Sequence, residues 1–233
     1  MHYAIIAAGE GSRLAQEGVA LPKPLVELNG EPLIDRLVRI FEQNNPQSIS
    51  VIINSNIPLL LEHVSKIESK VKLNIINKST PSSMHSFYEL SPYLKDKFCL
   101  TTIDTIFNEE EFSQFINEFE SDNSHDGAMV VTDYIDDEKP LYVGTDDALN
   151  ITDFYDTPHS NVKYISGGIY ALTQPAIDVL NQCMAEGVSR MRNYQRALVS
   201  SGMNLKAVPF SKVIDIDHAT DIDKAIQFLN QPQ

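Results

Sequence analysis

Residues 4–25, AIIAAGEGSRLAQEGVALPKPL, constrain the fold more than any other stretch of the chain. The apolar run HYAIIAA at 2–8 is unbroken, the pattern of a strand covered on both faces. It leads directly into Gly9 and Gly11, where missing side chains let the backbone turn tightly and approach a ligand. Two common phosphate loops are excluded. A dinucleotide fingerprint needs a third glycine where Leu14 stands, and a Walker A loop needs Gly-Lys-Ser/Thr after its second glycine. What is left is a strand-to-helix loop with two readings. Its backbone N–H groups close around a base or phosphate while Arg13 and the proline-flanked Lys23 neutralise a polyphosphate, or it is a ligand-free turn with a surface arginine and lysine.

The remainder of the chain alternates strand and helix. Residues 31–44 set Leu33, Ile34, Leu37, Ile40 and Phe41 on one helical stripe, with Pro32 suited to the first turn. The pattern predicts strands over 48–54, 71–77 and 97–104, and helices over 58–69 and 82–94. Phe112, Phe115, Ile116 and Phe119 repeat at helical spacing, the mark of a core face. Further strands are predicted over 128–134, 141–145, 149–155, 162–172 and 212–217, and helices over 175–185, 191–201 and 219–229. Such alternation builds an α/β fold with a mostly parallel, mixed central sheet flanked by helices. At 233 residues and 42% hydrophobic, with no repeat, low-complexity tract or linker, the chain reads as one domain over 1–233.

Charge narrows the function. With 18 Lys+Arg against 32 Asp+Glu the net charge is −14, and a surface this acidic repels a phosphate backbone, so no nucleic-acid partner is expected. No apolar run approaches the roughly 18 residues of a membrane span. MHYAII leads straight into glycines, unlike a secretory leader, and Cys99 and Cys183 make neither a disulfide framework nor a zinc site. A cytoplasmic protein is expected. Any anionic ligand must be met by a few placed cations or a metal.

AAGEGSRL at 7–14, PKPL at 22–25 and GEPLI at 30–34 carry a resemblance. The chain resembles the nucleotidyltransferase family with a Rossmann-like, GT-A-type fold, which includes sugar-phosphate nucleotidylyltransferases, choline-phosphate and inositol-phosphate cytidylyltransferases, and molybdopterin guanylyltransferase. The family signature A-A-G-x-G-[ST]-R-[LM], P-K-x-L, G-x-P-[LM]-[IL] is met by Ala7, Ala8, Gly9, Gly11, Ser12, Arg13, Leu14, Pro22, Lys23, Leu25, Gly30, Pro32, Leu33 and Ile34. CLTTIDTIF is similar to the family's strand that ends in a Mg²⁺-binding aspartate, here Asp104, with Ile103 where the family often has glycine. YISGGIYAL is similar to its acceptor-pocket strand, implicating Gly167 and Gly168. VIDIDHATDIDKAIQFL resembles its closing segment, which places a second metal ligand at Asp217 and has His218 where threonine is usual. PSSMHSFYEL stands where the family reads the base, and Ser82, Ser83 and Ser86 resemble the short cytidylyltransferases.

The reaction this resemblance implies is attack by a phosphorylated acceptor (sugar, polyol or choline phosphate) on the α-phosphate of a nucleoside triphosphate, CTP by preference, with release of pyrophosphate and with Mg²⁺ or Mn²⁺ as cofactor. A phosphate monoester has a second pKa of about 6 and is already ionised at neutral pH, so no general base is required. The six histidines, at 2, 63, 85, 125, 159 and 218, show no metal or triad spacing. Asp104 and Asp217 would hold the metal. Asp215 shares a strand face with Asp217 and could join them, while Asp217 could instead cap the helix starting at Ala219. Arg13 and Lys23 would meet the charge growing on pyrophosphate, so their loss is expected to harm turnover more than folding. Arg190, Arg192 and Arg196 form either an acceptor-phosphate clamp or a solvated helix face. Two other functions compete: a non-catalytic nucleotide sensor, which has no need of the aspartates, and a glycosyltransferase, whose D-x-D would lie near mid-chain rather than at 215–217.

Overall fold

The computed structural model describes residues 1–136 and 138–231. The first half runs β1 (His2–Ala7), α1 (Ser12–Gln16), a 3-10 turn at Lys23–Leu25, the short β2 (Glu27–Leu28) and β3 (Glu31–Pro32), α2 (Leu33–Glu42), β4 (Ser48–Ile53), α3 (Pro58–Val64), β5 (Lys72–Asn77), α4 (Ser83–Leu90), β6 (Lys97–Thr102), β7 (Thr105–Phe107) and α5 (Glu109–Ser121). The second half runs β8 (Gly127–Thr132), β9 (Tyr142–Thr145), β10 (Ile151–Tyr155), β11 (Tyr164–Thr173), α6 (Pro175–Ala185), α7 (Met191–Ser200), β12 (Leu205–Pro209), β13 (Val213–Asp215) and α8 (Ala219–Leu229).

Nine strands form one mixed sheet in the order β10-β9-β11-β6-β1-β4-β5, with β8 on β11 and β12 on β8. β6, β1, β4 and β5 are parallel, and β11 turns antiparallel against β6, β8 and β9. The unbroken apolar run of β1 has its explanation in the layers. Tyr3, Ile5 and Ala7 face one core, closed by Leu37 of α2, Leu60 of α3, Phe112 of α5 and Ala225 of α8. Ala4, Ile6 and Ala8 face the other, closed by Phe87 of α4, Leu180 of α6 and Tyr194 of α7. Phe112, Phe115, Ile116 and Phe119 are all buried, and Phe112 stacks on Phe107 at 5.0 Å and on Phe41 at 5.8 Å. Each such ring contributes about 1.5–3 kcal/mol by leaving water.

The structure departs from the predicted elements where tertiary contacts overrule local pattern. The strand predicted over 97–104 stops at Thr102: Ile103 N–H still donates to Ile6 O of β1 (3.0 Å), but Asp104 O accepts from Ile216 N–H (3.1 Å), where the chain leaves the β1 ladder. It restarts as β7, which pairs antiparallel with β13, Thr105 opposite Asp215. Arg36, 2% exposed on α2, fastens this corner by donating to Phe107 O (3.3 Å) and pairing with Glu109 (3.1 Å). The strand predicted over 212–217 correspondingly ends at Asp215, and the helix predicted over 58–69 ends at Val64. Cys99 and Cys183 are free and buried. Among the described residues no helix is long and apolar enough to cross a membrane.

Candidate functional site

The parallel strands β6, β1 and β4 end together, and the segments that follow them surround a cavity of about 590 Å³. Ligands in open α/β sheets collect at such carboxyl ends. One wall is the glycine loop. Gly11 has φ +62°, and a Cβ there would sit 3.2 Å from Lys23 Cβ, so a side chain would push the loop off the lysine. The opposite wall is built from residues 79–83 and Ser86. Thr80 and Ser86 hydroxyls lie 2.6 Å apart, and Ser82 Oγ is 2.8 Å from His85 Nδ1. Ala7, Ala8, Gly9, Gly11, Ser12, Lys23, Ser82, Ser83 and Ser86 all line this cavity, together with Asp104. Arg13 lies outside its lining.

The charged centre is a three-way contact between residues far apart in sequence. Lys23 Nζ lies 2.8 Å from Asp104 Oδ2 and 2.9 Å from Asp217 Oδ1, and Arg13 Nη1 lies 2.9 Å from Asp217 Oδ2. The β7–β13 pairing makes this possible, since it sets the segment after Asp215 beside the turn at Asp104. Burial pulls the Lys23 ammonium down, but the two carboxylates outweigh it and leave its pKa above the usual lysine value. The helix-cap alternative for Asp217 falls away. Its carboxylate faces cations, while the N-cap position of α8 is His218, and the first-turn donors are met by others: His218 N–H bonds Asp221 Oδ2 (2.8 Å) and Ala219 N–H bonds Glu17 Oε2 (2.7 Å). His218 Nδ1 lies 2.6 Å from Glu17 Oε1, and that bond raises its pKa. Asp215 accepts from Thr105 Oγ1 (3.2 Å).

The expectation that Lys23 and Arg13 answer only a ligand's charge is corrected here: the folded chain itself supplies Asp104 and Asp217. The donor set suits a hard divalent cation. Two carboxylates meet on one positive charge, and among the described residues no group of three or more His, Cys, Asp or Glu forms a closed cage. Mg²⁺ and Mn²⁺ take one or two carboxylates and complete their shell with phosphate oxygens and water.

A second cavity, of about 300 Å³, adjoins the first through Ser83, Thr102 and Asp104. Its floor is a hydroxyl–amide chain: Ser166 Oγ donates to Gln195 Oε1 (3.3 Å), and Gln195 Nε2 donates to Tyr170 OH (3.3 Å). Burial pushes the Tyr170 phenol up to about 12, so it keeps its proton. Gly168, at φ +71°, lies in the irregular stretch of β11 between Ser166 and Tyr170, where a Cβ would meet Thr105 Oγ1 at 2.8 Å. Gly168, Asp215, Arg190 and Arg192 line this cavity. Gly167 instead lines a recess of about 50 Å³ on the far side of Asp217, with Arg13 and His218.

The arginine cluster is divided. Arg192 and Arg196 both bind Asp156 (2.6 and 2.8 Å), and Arg196 also donates to Phe154 O, so these two brace α7 against β10. Arg190 carries a left-handed φ of +73°, its N–H donates to Ser82 Oγ (3.4 Å), and its guanidinium has no polar partner among the described residues. Strained non-glycine backbone of this kind persists only where surrounding contacts hold it. Sequence reasoning missed Asn54, Ser166, Tyr170 and Gln195. For Asn54 a signal existed, because it directly follows a buried parallel strand.

Compared with known proteins, the sequence matches the nucleotidyl transferase family profile over residues 3–231. It is 22% identical over 249 residues to the bifunctional protein GlmU of Thermodesulfovibrio yellowstonii, covering 98% of this chain and 52% of that protein. The chain thus spans about half the length of that bifunctional relative. It is 24% identical over 243 residues to the UTP–glucose-1-phosphate uridylyltransferase AglF of Haloferax volcanii, covering 99% and 97% of the two chains. Among solved structures, the inositol-1-phosphate CTP transferase of T. maritima superposes with a TM-score of 0.81 at 17% identity, covering 99% of this chain and 96% of that one. HddC from Yersinia pseudotuberculosis does so at 0.74 and 20%, covering 98% and 99%.

Proposed function

The chain belongs to the nucleotidyl transferase family, and on that premise we propose that it transfers a nucleoside monophosphate from a nucleoside triphosphate to a phosphorylated small molecule, releasing pyrophosphate. The observation that carries this reading is the Lys23–Asp104–Asp217 contact at the junction of two cavities. The larger cavity takes the nucleotide, its phosphates toward Lys23 and the glycine loop. The smaller takes the acceptor, its phosphate toward Asp104 and its hydroxyls on the Ser166–Gln195–Tyr170 chain, which favours a sugar or polyol phosphate over choline phosphate. A quaternary ammonium prefers an aromatic cage, and this cavity holds Tyr170 beside Arg190 and Arg192.

In this mechanism Asp104 and Asp217 would hold Mg²⁺ or Mn²⁺, and Asp215, which lines the acceptor cavity with Asp104, would assist. The metal, when bound, offsets the repulsion between two anionic reactants. Lys23 and Arg13 turn from Asp217 to the departing pyrophosphate, whose growing charge they stabilise in place. Arg190, whose guanidinium has no polar partner among the described residues, holds the acceptor phosphate. Catalysis is then positioning and electrostatics, with no side chain moving a proton. CTP is the proposed nucleotide, in keeping with the likeness to the inositol-1-phosphate CTP transferase of T. maritima, and Ser82, Ser83 and Ser86 line the cavity that takes it. The whole of 1–233 is proposed as one catalytic domain. A cytoplasmic setting accords with two buried free thiols, and the net charge of −14 argues against nucleic acid.

The test is a matrix of nucleoside triphosphates against phosphorylated sugars, polyols and choline, read by pyrophosphate release with and without EDTA. Acceptor-dependent, EDTA-sensitive release is expected. Nucleotide binding with no release for any acceptor would favour a regulatory nucleotide binder on the same fold.

A further inference from the structure

Asn54 follows the last residue of β4, is 4% exposed and lines the 590 Å³ cavity. Its Oδ1 accepts two hydrogen bonds, from Asn56 N–H (3.0 Å) and from Ser79 Oγ (2.7 Å). A backbone N–H can be answered only by the amide oxygen, so the orientation of the side chain is settled by geometry. Nδ2 is left on the opposite side with no partner among the described residues. Ser79 is held in turn by Ser55, with hydroxyls 3.0 Å apart and Ser79 N–H donating to Ser55 Oγ (3.2 Å). The amide is therefore a donor that cannot flip.

Strand order says which part of a nucleotide it meets. Asp104 follows β6 and Asn54 follows β4, and β1 lies between them. Adjacent strands are about 4.8 Å apart, which puts the two residues about 10 Å from each other across the glycine loop. With the phosphates at Lys23 and Asp104, the base lies at the Asn54 end. The other polar side chains there are hydroxyls and the Asn56 amide, which no hydrogen bond among the described residues holds in one orientation; the Thr80–Ser86 hydroxyl pair can be donor or acceptor in either direction. Hydroxyls adapt to any base, whereas Asn54 does not.

We propose that Asn54 selects the base, donating from Nδ2 to the adjacent acceptors N3 and O2 of cytosine and rejecting uracil, whose N3–H would face it donor to donor. The proposal rests on the nucleotide reading of this cavity. It replaces the serines of 82–86 as the source of base choice.

Asn54→Asp keeps an oxygen for Asn56 and Ser79 and exchanges only the group turned to the cavity. The ratio of kcat/KM for CTP over UTP should fall at least about tenfold, the scale set by burying a donor or acceptor without its partner. Because the added charge weakens every triphosphate alike, the ratio is the readout, and a thermal melt checks folding. A ligand-side substitution avoids altering the protein: 3-deazacytidine triphosphate, which lacks the N3 acceptor, should be at least about tenfold poorer than CTP with the wild type and lose that handicap with Asn54→Asp. An unchanged CTP/UTP ratio, full activity of the deaza nucleotide, or a wild-type preference for UTP or a purine would overturn the proposal. Calorimetric titration of CTP and UTP separates the two claims. A base preference in binding that Asn54→Asp reverses, without acceptor-dependent turnover, would sink the transferase reading and leave Asn54 as the selector, while no nucleotide binding would overturn both.

Discussion

Replacing Lys23 by methionine isolates the charge at the junction of the two cavities, because the new side chain keeps the apolar stem and removes the ammonium. Each carboxylate contact, at 2.8 and 2.9 Å, represents about 6 kcal/mol of gross attraction at an effective dielectric constant of about 20. Desolvation of a side chain only 12% exposed offsets most of it. What remains on truncation is the cost of an uncompensated Asp104, 22% exposed, since Asp217 is more open and retains Arg13. Interpolating between exposed pairs, worth about 0–1 kcal/mol, and fully buried ones, worth about 3–5, gives a loss of about 2 kcal/mol. For a chain of this size that lowers Tm by about 4–8 °C. Calorimetry in magnesium chloride, against sodium chloride of equal ionic strength, should recover more of the loss in Lys23→Met than it adds to the wild type, because both carboxylates are uncovered. Turnover should fall at least about a hundredfold. A variant that melts with the wild type, or that turns over like it, would refute the reasoning.

Asp217→Asn should abolish most activity while Asp215→Asn, whose carboxylate accepts from Thr105 Oγ1, should reduce it only in part; equal turnover of wild type and Asp217→Asn would reject that order. Gly168→Ala should destabilise by at least about 1–2 kcal/mol from its left-handed φ alone, and should raise the acceptor KM with little change for the nucleotide, whereas a wild-type melt would show the turn tolerates a side chain. His218 should titrate above its usual 6.5 because Glu17 stabilises the imidazolium. That contribution is complete below about pH 6.5 and fades as pH rises through the raised value. Glu17→Gln should return the His218 titration, followed by NMR, toward 6.5, and an unmoved titration would count against the bond.

What the sequence made legible was what depends on local pattern. The apolar run of β1 and the phenylalanines of α5 report burial directly, since their spacing is the spacing of the faces they cover. The five-residue α1 buries only Leu14, too little for a helical period to show. β12 carries Lys206 and Pro209 and is a strand because β8 pairs with it, which no local window contains. The site divides the same way. Asp104, Lys23 and Asp217 were found as separate motif positions, but their shared ion pair depends on the β7–β13 corner. Asn54 carries only the signal of following a buried parallel strand, and its importance comes from a backbone N–H two residues on and a serine on the next strand's loop.

The central claim, that an acceptor phosphate attacks the α-phosphate, is tested most directly by where the acceptor's own oxygen ends. With the non-bridging oxygens of the acceptor phosphate labelled with oxygen-18, and the products resolved by phosphorus NMR and mass spectrometry, the account predicts that the label stays in the nucleotide-linked product, including its new P–O–P bridge. Pyrophosphate should carry none of it, and none should form without acceptor. Label in pyrophosphate, or release of pyrophosphate independent of acceptor, would contradict the account.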